Sequence, residues 1–161
     1  MSMVTIETFI SKAAALRVID KDYPSPVRPV SGSTYTFPSN ADSLSDYEID
    51  DWLLFLGAWR GHMGHAISQI EGELYILTEG EKLMLSTTIA NLENDSSKKL
   101  LKDSLIGQAL LDKPDLQTLR LKIIDLNGEL KILKGRLSLY ESQFDTISRV
   151  VTRRGQERFK I

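Results

Sequence analysis

Two histidines, a stripe of large aromatics and a cluster of arginines are the side chains whose types and spacing could do chemistry in this 161-residue chain. His62 and His65 stand three apart, so on a helix they face the same way, a spacing used in metal sites. No third ligand follows at a suitable offset, although Glu71 and Glu73 are nearby in sequence. Solvated or interface histidines among the glycines are the simpler reading. The chain has no H-E-x-x-H, no glycine loop ahead of Lys-Ser/Thr to cradle phosphates, and no nucleophile elbow. It therefore offers no catalytic residue, no metal ligand set and no cofactor signature, and the expectation is a non-enzymatic protein.

Trp52, Phe55 and Trp59 form an aromatic stripe. Such rings can stack on unpaired bases at ~1–3 kcal/mol each, but at helical spacing on an apolar seam they also serve as core. Arg149, Arg153, Arg154, Arg158 and Lys160 make the densest basic cluster. Most of them can project from one side of a helix end, which suits phosphates, and assembly into a ring would multiply weak single contacts into strong total binding. A solvated helix terminus, whose dipole favours cations, is the other reading.

The elements that must position these groups read as all-α. Leu116, Leu119, Ile123, Leu126, Leu130, Leu133, Leu137, Tyr140, Phe144, Ile147 and Val151 alternate spacings of three and four without a miss. That is the seam of one long helix packed in coiled-coil fashion, starting at Pro114 and capped near Gly155, with Asn127-Gly128 as its weak point. A second long helix opens at a capping box, Ser45 with Glu48 three residues on. Its seam is Ile49, Trp52, Phe55/Leu56, Trp59, Met63, Ala66, Ile70, Leu74 and Leu77, resuming at Leu85, Ile89 and Leu92. Between those two seams of apolar residues the register slips near Gly80-Glu81, which suggests a kink or a change of partner.

Gly57, Gly61, Gly64, Ser68 and Gly72 share one face of that helix. Each interior glycine costs ~1 kcal/mol against alanine, a cost that close approach of another backbone would offset. A subunit contact built on Gly57, Gly61, Gly64, Trp52 and Trp59 is the expectation, with a helix broken between Gly57 and Gly64 as the alternative. A shorter helix, KKLLKDSLIGQALL, lies between the long ones after the turn Asn94-Asp95-Ser96-Ser97.

Residues 1–44 precede this helical core of residues 45–161. They hold a short amphipathic helix over 4–19, with Ile6, Phe9, Ile10, Ala13, Leu16 and Val18 as apolar contacts. An arm with Pro24, Pro26, Pro29 and Pro38 follows, through which no helix can run. Tyr23, Val27, Val30, Tyr35 and Phe37 suit an arm lying on a body; a flexible tether is the alternative.

Composition excludes other classes. There is no cysteine, so neither a disulfide scaffold nor a thiolate metal site is available, and a reducing cytoplasm is the compatible setting. No apolar run approaches the ~20 residues of a membrane span, and the start has no basic n-region of a signal peptide. Net charge is −2, yet from Arg120 onwards ten Lys or Arg face five Asp or Glu, leaving ten against seventeen before it. A basic end thus follows an acidic body.

From Asp51 onwards the chain resembles the phage UvsY-type recombination mediators. The shared features are Trp52-Leu53 near the start of a long helix, a polar break, and then L-I-G-Q-A-L-L-D leading into a final long helix with charged residues near its end. The resemblance spans roughly residues 46–158. It implies a homo-oligomeric helical ring that binds single-stranded DNA and helps load a RecA-like recombinase onto strands covered by single-strand-binding protein. DNA would then lie on the basic C-terminal region and the recombinase on an acidic surface. The competing reading is a structural or adaptor helical bundle, a virion component or host-takeover factor, that binds only protein.

Overall fold

The computed structural model describes residues 5–21, 26, 29, 36–95 and 101–158. Among them there are four α-helices and no strand: α1 (Ile6–Asp20), α2 (Asp46–Asp95), α3 (Lys102–Asp112) and α4 (Pro114–Arg158), with a short 3₁₀ turn at Ala41–Ser43. The fold is all-α. Tyr23, Val27, Val30 and Tyr35 of the arm, Ser96-Ser97 and Lys160 lie outside the described residues.

The helix boundaries follow the local chemistry. Ser45 and Glu48 form the capping box: the Ser45 backbone N–H donates to Glu48 Oε2 at 2.8 Å, and the Glu48 N–H donates to Ser45 Oγ at 3.3 Å. Lys113, ahead of Pro114, is extended (φ −128°, ψ 96°) and separates α3 from α4. Two expected weak points are not breaks. Asn127-Gly128 is helical, with Asn127 Nδ2 donating to the Ile123 carbonyl at 2.9 Å. Gly155 is not a cap but an interior residue of α4, which runs on to Arg158, and it has no positive φ. Likewise α2 passes Gly57–Gly64 and Gly80-Glu81 without interruption.

Packing divides the chain into two compact units. Unit 1 is Met1–Tyr23 with Ser68–Leu130, and unit 2 is Pro24–Ile67 with Lys131–Ile161.

In unit 1, α1 packs on the C-terminal half of α2 and the N-terminal part of α4. Its core gathers Ile6, Phe9 and Ala13 with Leu77, Leu119 and Ile123. The sequence of touching residues shows α1 antiparallel to α2, since Phe9 meets Gly80, Leu16 meets Gly72 and Asp20 accepts from Gln69. A Cβ on Gly80 would stand 2.5 Å from the Phe9 ring. The register slip at this glycine is therefore the place where an aromatic of α1 sits directly on the α2 backbone. Of the other expected contacts, Leu16 reaches Gly72 while 37% exposed, whereas Ile10 and Val18 are 39% and 62% exposed. In α3, Leu105 and Ala109 are buried, and the Leu110 carbonyl accepts from Gln117 Nε2 of α4 at 2.5 Å.

In unit 2, the N-terminal part of α2 lies antiparallel to the C-terminal part of α4, with Trp59 against Tyr140 and Asp46 against Arg154. Ile49, Leu56, Ile147 and Val150 form its buried core. Here the expected seam of α4 shifts by one residue at its end: Val150 is 5% exposed, whereas Val151 is 44% exposed.

Candidate functional site

The basic cluster lies in unit 2, at the C-terminal end of α4. Antiparallel pairing sets this end beside the start of α2 and the 3₁₀ turn. Helix dipoles favour cations at the end of α4 and anions at the start of α2, and pairing the two helices brings these opposite charges together.

Arg154 is held most firmly. Its Nη1 donates to Asp46 Oδ1 at 2.8 Å, and its Nη2 donates to the carbonyls of Asp42 at 2.9 Å and Leu44 at 2.5 Å. Arg158 donates to the other Asp46 oxygen, Oδ2, at 2.8 Å. Arg153 pairs with Asp42. Asp46 thus bridges two guanidiniums, and the hydrogen bonds from Arg154 and then Arg158 hold its carboxyl below the usual aspartate range. Asp42 is fixed in turn by Asn40, whose Oδ1 accepts from the Asp42 N–H at 3.1 Å.

Arg149 stands apart. It is exposed and makes no ion pair among the described residues. It borders a cleft of about 350 Å³ shared with Ser39, Asn40, Asp42, Thr146 and Arg153. Three of the four described arginines are therefore bound to acids of their own chain, and Arg149 faces solvent. Asp42 and Asp46 are the partners of this cluster that the sequence alone did not reveal. The signal was present as acids at one helix start and arginines at another helix end, but only the antiparallel pairing makes them neighbours.

The aromatic stripe runs along the α2–α4 contact. Trp52 meets Phe37 edge-on at 5.6 Å and Phe55 at 5.9 Å, and Trp59 lies 6.0 Å from Tyr140. Trp59 is 8% exposed, so its ring is packed rather than open to a base. Arg60 lies over the Phe144 ring at 4.6 Å, a cation–π contact.

Gly57, Gly61 and Gly64 form the open part of the glycine face: a Cβ on any of them would meet nothing within 4 Å. Gly72, on the same face, meets Leu16 at 3.3 Å. Of the histidines, His62 packs edge-on against Trp59 at 5.8 Å, with a buried Nδ1 that has no hydrogen-bond partner among the described residues. Among the described residues no group of three or more His, Asp or Glu could hold a metal. No described helix is long and apolar enough to cross a membrane. No family model matches the chain, and neither a curated protein nor a solved structure matches it.

Proposed function

We propose that this chain is a non-enzymatic, homo-oligomeric mediator of recombination that binds single-stranded DNA in the cytoplasm. In this reading it helps load a RecA-like recombinase onto strands covered by single-strand-binding protein, as the UvsY-type layout implies. Long helices in coiled-coil-like packing carry the assembly, with the proline-rich arm laid on the body. The observation that carries the reading is the row of arginines along the last turns of α4, with Arg149 exposed beside the cleft at Ser39–Asp42. A ring would repeat that row once per subunit, and backbone phosphates would be neutralised with little regard to sequence. Arg153 and Arg158 are 53% and 71% exposed and their acid partners are exposed too. Exposed ion pairs are worth ~0–1 kcal/mol, so a phosphate can exchange for either carboxylate at small cost.

The test is a titration of a fluorescent single-stranded oligonucleotide at low and high salt, with the mass of the complex read alongside. Steeply salt-sensitive binding by an assembly larger than a dimer supports the mediator. Arg149→Ala then lowers the salt slope by ~0.7 for each phosphate that the arginine neutralises. The absence of binding at low salt overturns the reading in favour of a protein-only adaptor. That second reading has its own observation: Arg153, Arg154 and Arg158 already have acid partners within the chain.

A further inference from the structure

The arginines at the end of α4 fall into two pairs, each spaced one turn apart, and each pair lines its own cleft within unit 2. Arg149 and Arg153 border the cleft of about 350 Å³ at Ser39–Asp42. Arg154 and Arg158 border a second cleft of about 280 Å³, shared with Asp46, Ile49 and Asp50. At 1.5 Å per residue the members of a pair stand about 6 Å apart along the helix, so two guanidiniums can converge on one anion. In each cleft a carboxylate of the chain itself takes these donors. Asp42 pairs with Arg153 in the first, and Asp46 spans the second, with one oxygen to Arg154 and the other to Arg158, each at 2.8 Å. A phosphodiester offers the same chemistry, two free oxygens sharing one negative charge.

The bonds that hold the backbone are separate from the bonds that occupy these donors. Arg154 is the anchor: its side chain is 26% exposed, and its Nη2 donates to the carbonyls of Asp42 and Leu44 without help from any carboxylate. The turn is fixed again by Asn40, whose side chain accepts from the Asp42 N–H and whose carbonyl accepts from the Ser43 hydroxyl. Ala41 and Leu44 pack on the core of the unit. Arg153 and Arg158, by contrast, have only the two acids as polar partners among the described residues. The side chains of Asp42 and Asp46 are 55% and 65% exposed. Either carboxylate can therefore turn from its arginine into water while the turn and the start of α2 stay in place, and ion pairs this exposed are weak.

We propose that the two clefts are successive phosphate sites for single-stranded DNA, and that Asp42 and Asp46 are internal competitors that occupy the arginines until backbone phosphates displace them. The inference rests on the DNA-binding part of the proposed function and adds its regulation. The chain's own acids lower its affinity, and they do so unequally. A lone phosphate makes too few contacts to displace a bridging carboxylate, whereas a strand that engages both clefts adds two contacts on one ligand. The acids thus favour a polymer over free phosphate.

Titration of a fluorescent oligothymidine with the full chain at low salt tests this, with Asp42→Asn/Asp46→Asn set beside the wild type. The double variant is expected to bind about three- to tenfold more tightly, with helical content unchanged because both acids are exposed. Removing two negative charges favours any polyanion, so Asp51→Asn/Glu157→Gln is the matched control. Both residues are exposed near the same helix ends, and neither pairs with these arginines. The control is expected to change affinity less than about twofold. If Asp46→Asn loosens the start of α2, Asp42→Asn alone carries the test, because it frees Arg153 and leaves α2 untouched. A control that tightens binding as much as the double variant reduces the effect to net charge and overturns the proposal. Wild-type binding that the double variant leaves unchanged or weakens also overturns it, with the mediator reading intact. A wild type that fails to bind while the double variant binds counts against the mediator and leaves the competing acids standing. Binding by neither protein overturns both.

Discussion

Glu73 lies inside unit 1 at 8% exposure and joins three helices: Arg17 of α1 donates to its Oε2 at 2.8 Å, and Lys122 of α4 lies 2.9 Å from its Oε1. Neither cation is itself buried, so the carboxylate bears most of the desolvation and the two partners offset it. Removing a partner from a buried charge costs more than the pair contributes. Lys122→Ala leaves the buried carboxylate with Arg17 alone and is expected to destabilise the protein by ~1–3 kcal/mol, read as a lowered midpoint in urea. Glu73→Ala leaves only exposed cations behind and is expected to cost less, so a larger loss in Glu73→Ala than in Lys122→Ala would refute this ranking. None of this was legible from sequence, where Glu73 stands only as one of two acids near the histidines. Its role depends on three helices converging, which no local pattern encodes.

At the scale of elements, the glycines of α2 separate by what they face. Gly57 meets nothing, so Gly57→Ala is expected to stabilise the helix by up to ~1 kcal/mol. Gly80 carries the Phe9 ring, so Gly80→Ala must push α1 outward and is expected to destabilise by ~1–3 kcal/mol. Thermal melts of the two variants should move in opposite directions, and a rise for both would mean that α1 does not dock on Gly80. Sequence spacing put Gly57, Gly61, Gly64 and Gly72 on one face correctly, because 3.6-residue periodicity is a local property. It set Gly80 apart only as a register slip and offered no reason to separate Gly72 from the rest, because that depends on where α1 lies.

For the molecule as a whole, acid is the condition to which both units respond. In unit 1, burial raises the pKa of Glu73, and the hydrogen bonds from Lys122 and Arg17 outweigh it, leaving the carboxyl below its ordinary value of 4.5. In unit 2, Arg154 and Arg158 hold Asp46 below its ordinary value of 3.8. A carboxyl with a folded pKa below its unfolded one binds fewer protons folded than unfolded. Its contribution is therefore complete above the unfolded value and is lost as pH falls through the folded one. Stability is expected to hold level from neutral pH to about 5 and to fall below about 4.5. In Glu73→Gln/Asp46→Asn that fall should flatten, as denaturant midpoints across the pH range would show. An undiminished acid slope in the double variant would place the acid response elsewhere.

What the amino-acid sequence determined by itself is what adjacent residues decide among themselves. The Ser45–Glu48 box, the extended Lys113 before Pro114, the seam from Leu116 to Ile147 and the all-α class all rest on interactions within a turn or two. The tertiary structure alone decided how those helices meet. Antiparallel pairing put Asp42 and Asp46 onto Arg153, Arg154 and Arg158, turned most of an apparent phosphate site into an internal brace, and left Arg149 facing solvent. It also decided which apolar faces are covered, burying the seam of α4 and leaving Leu121, Ile124, Ile132 and Leu139 exposed behind it. Periodicity marks a face as apolar, but burial depends on which neighbouring helix arrives there, and that is set by packing across long separations in the chain.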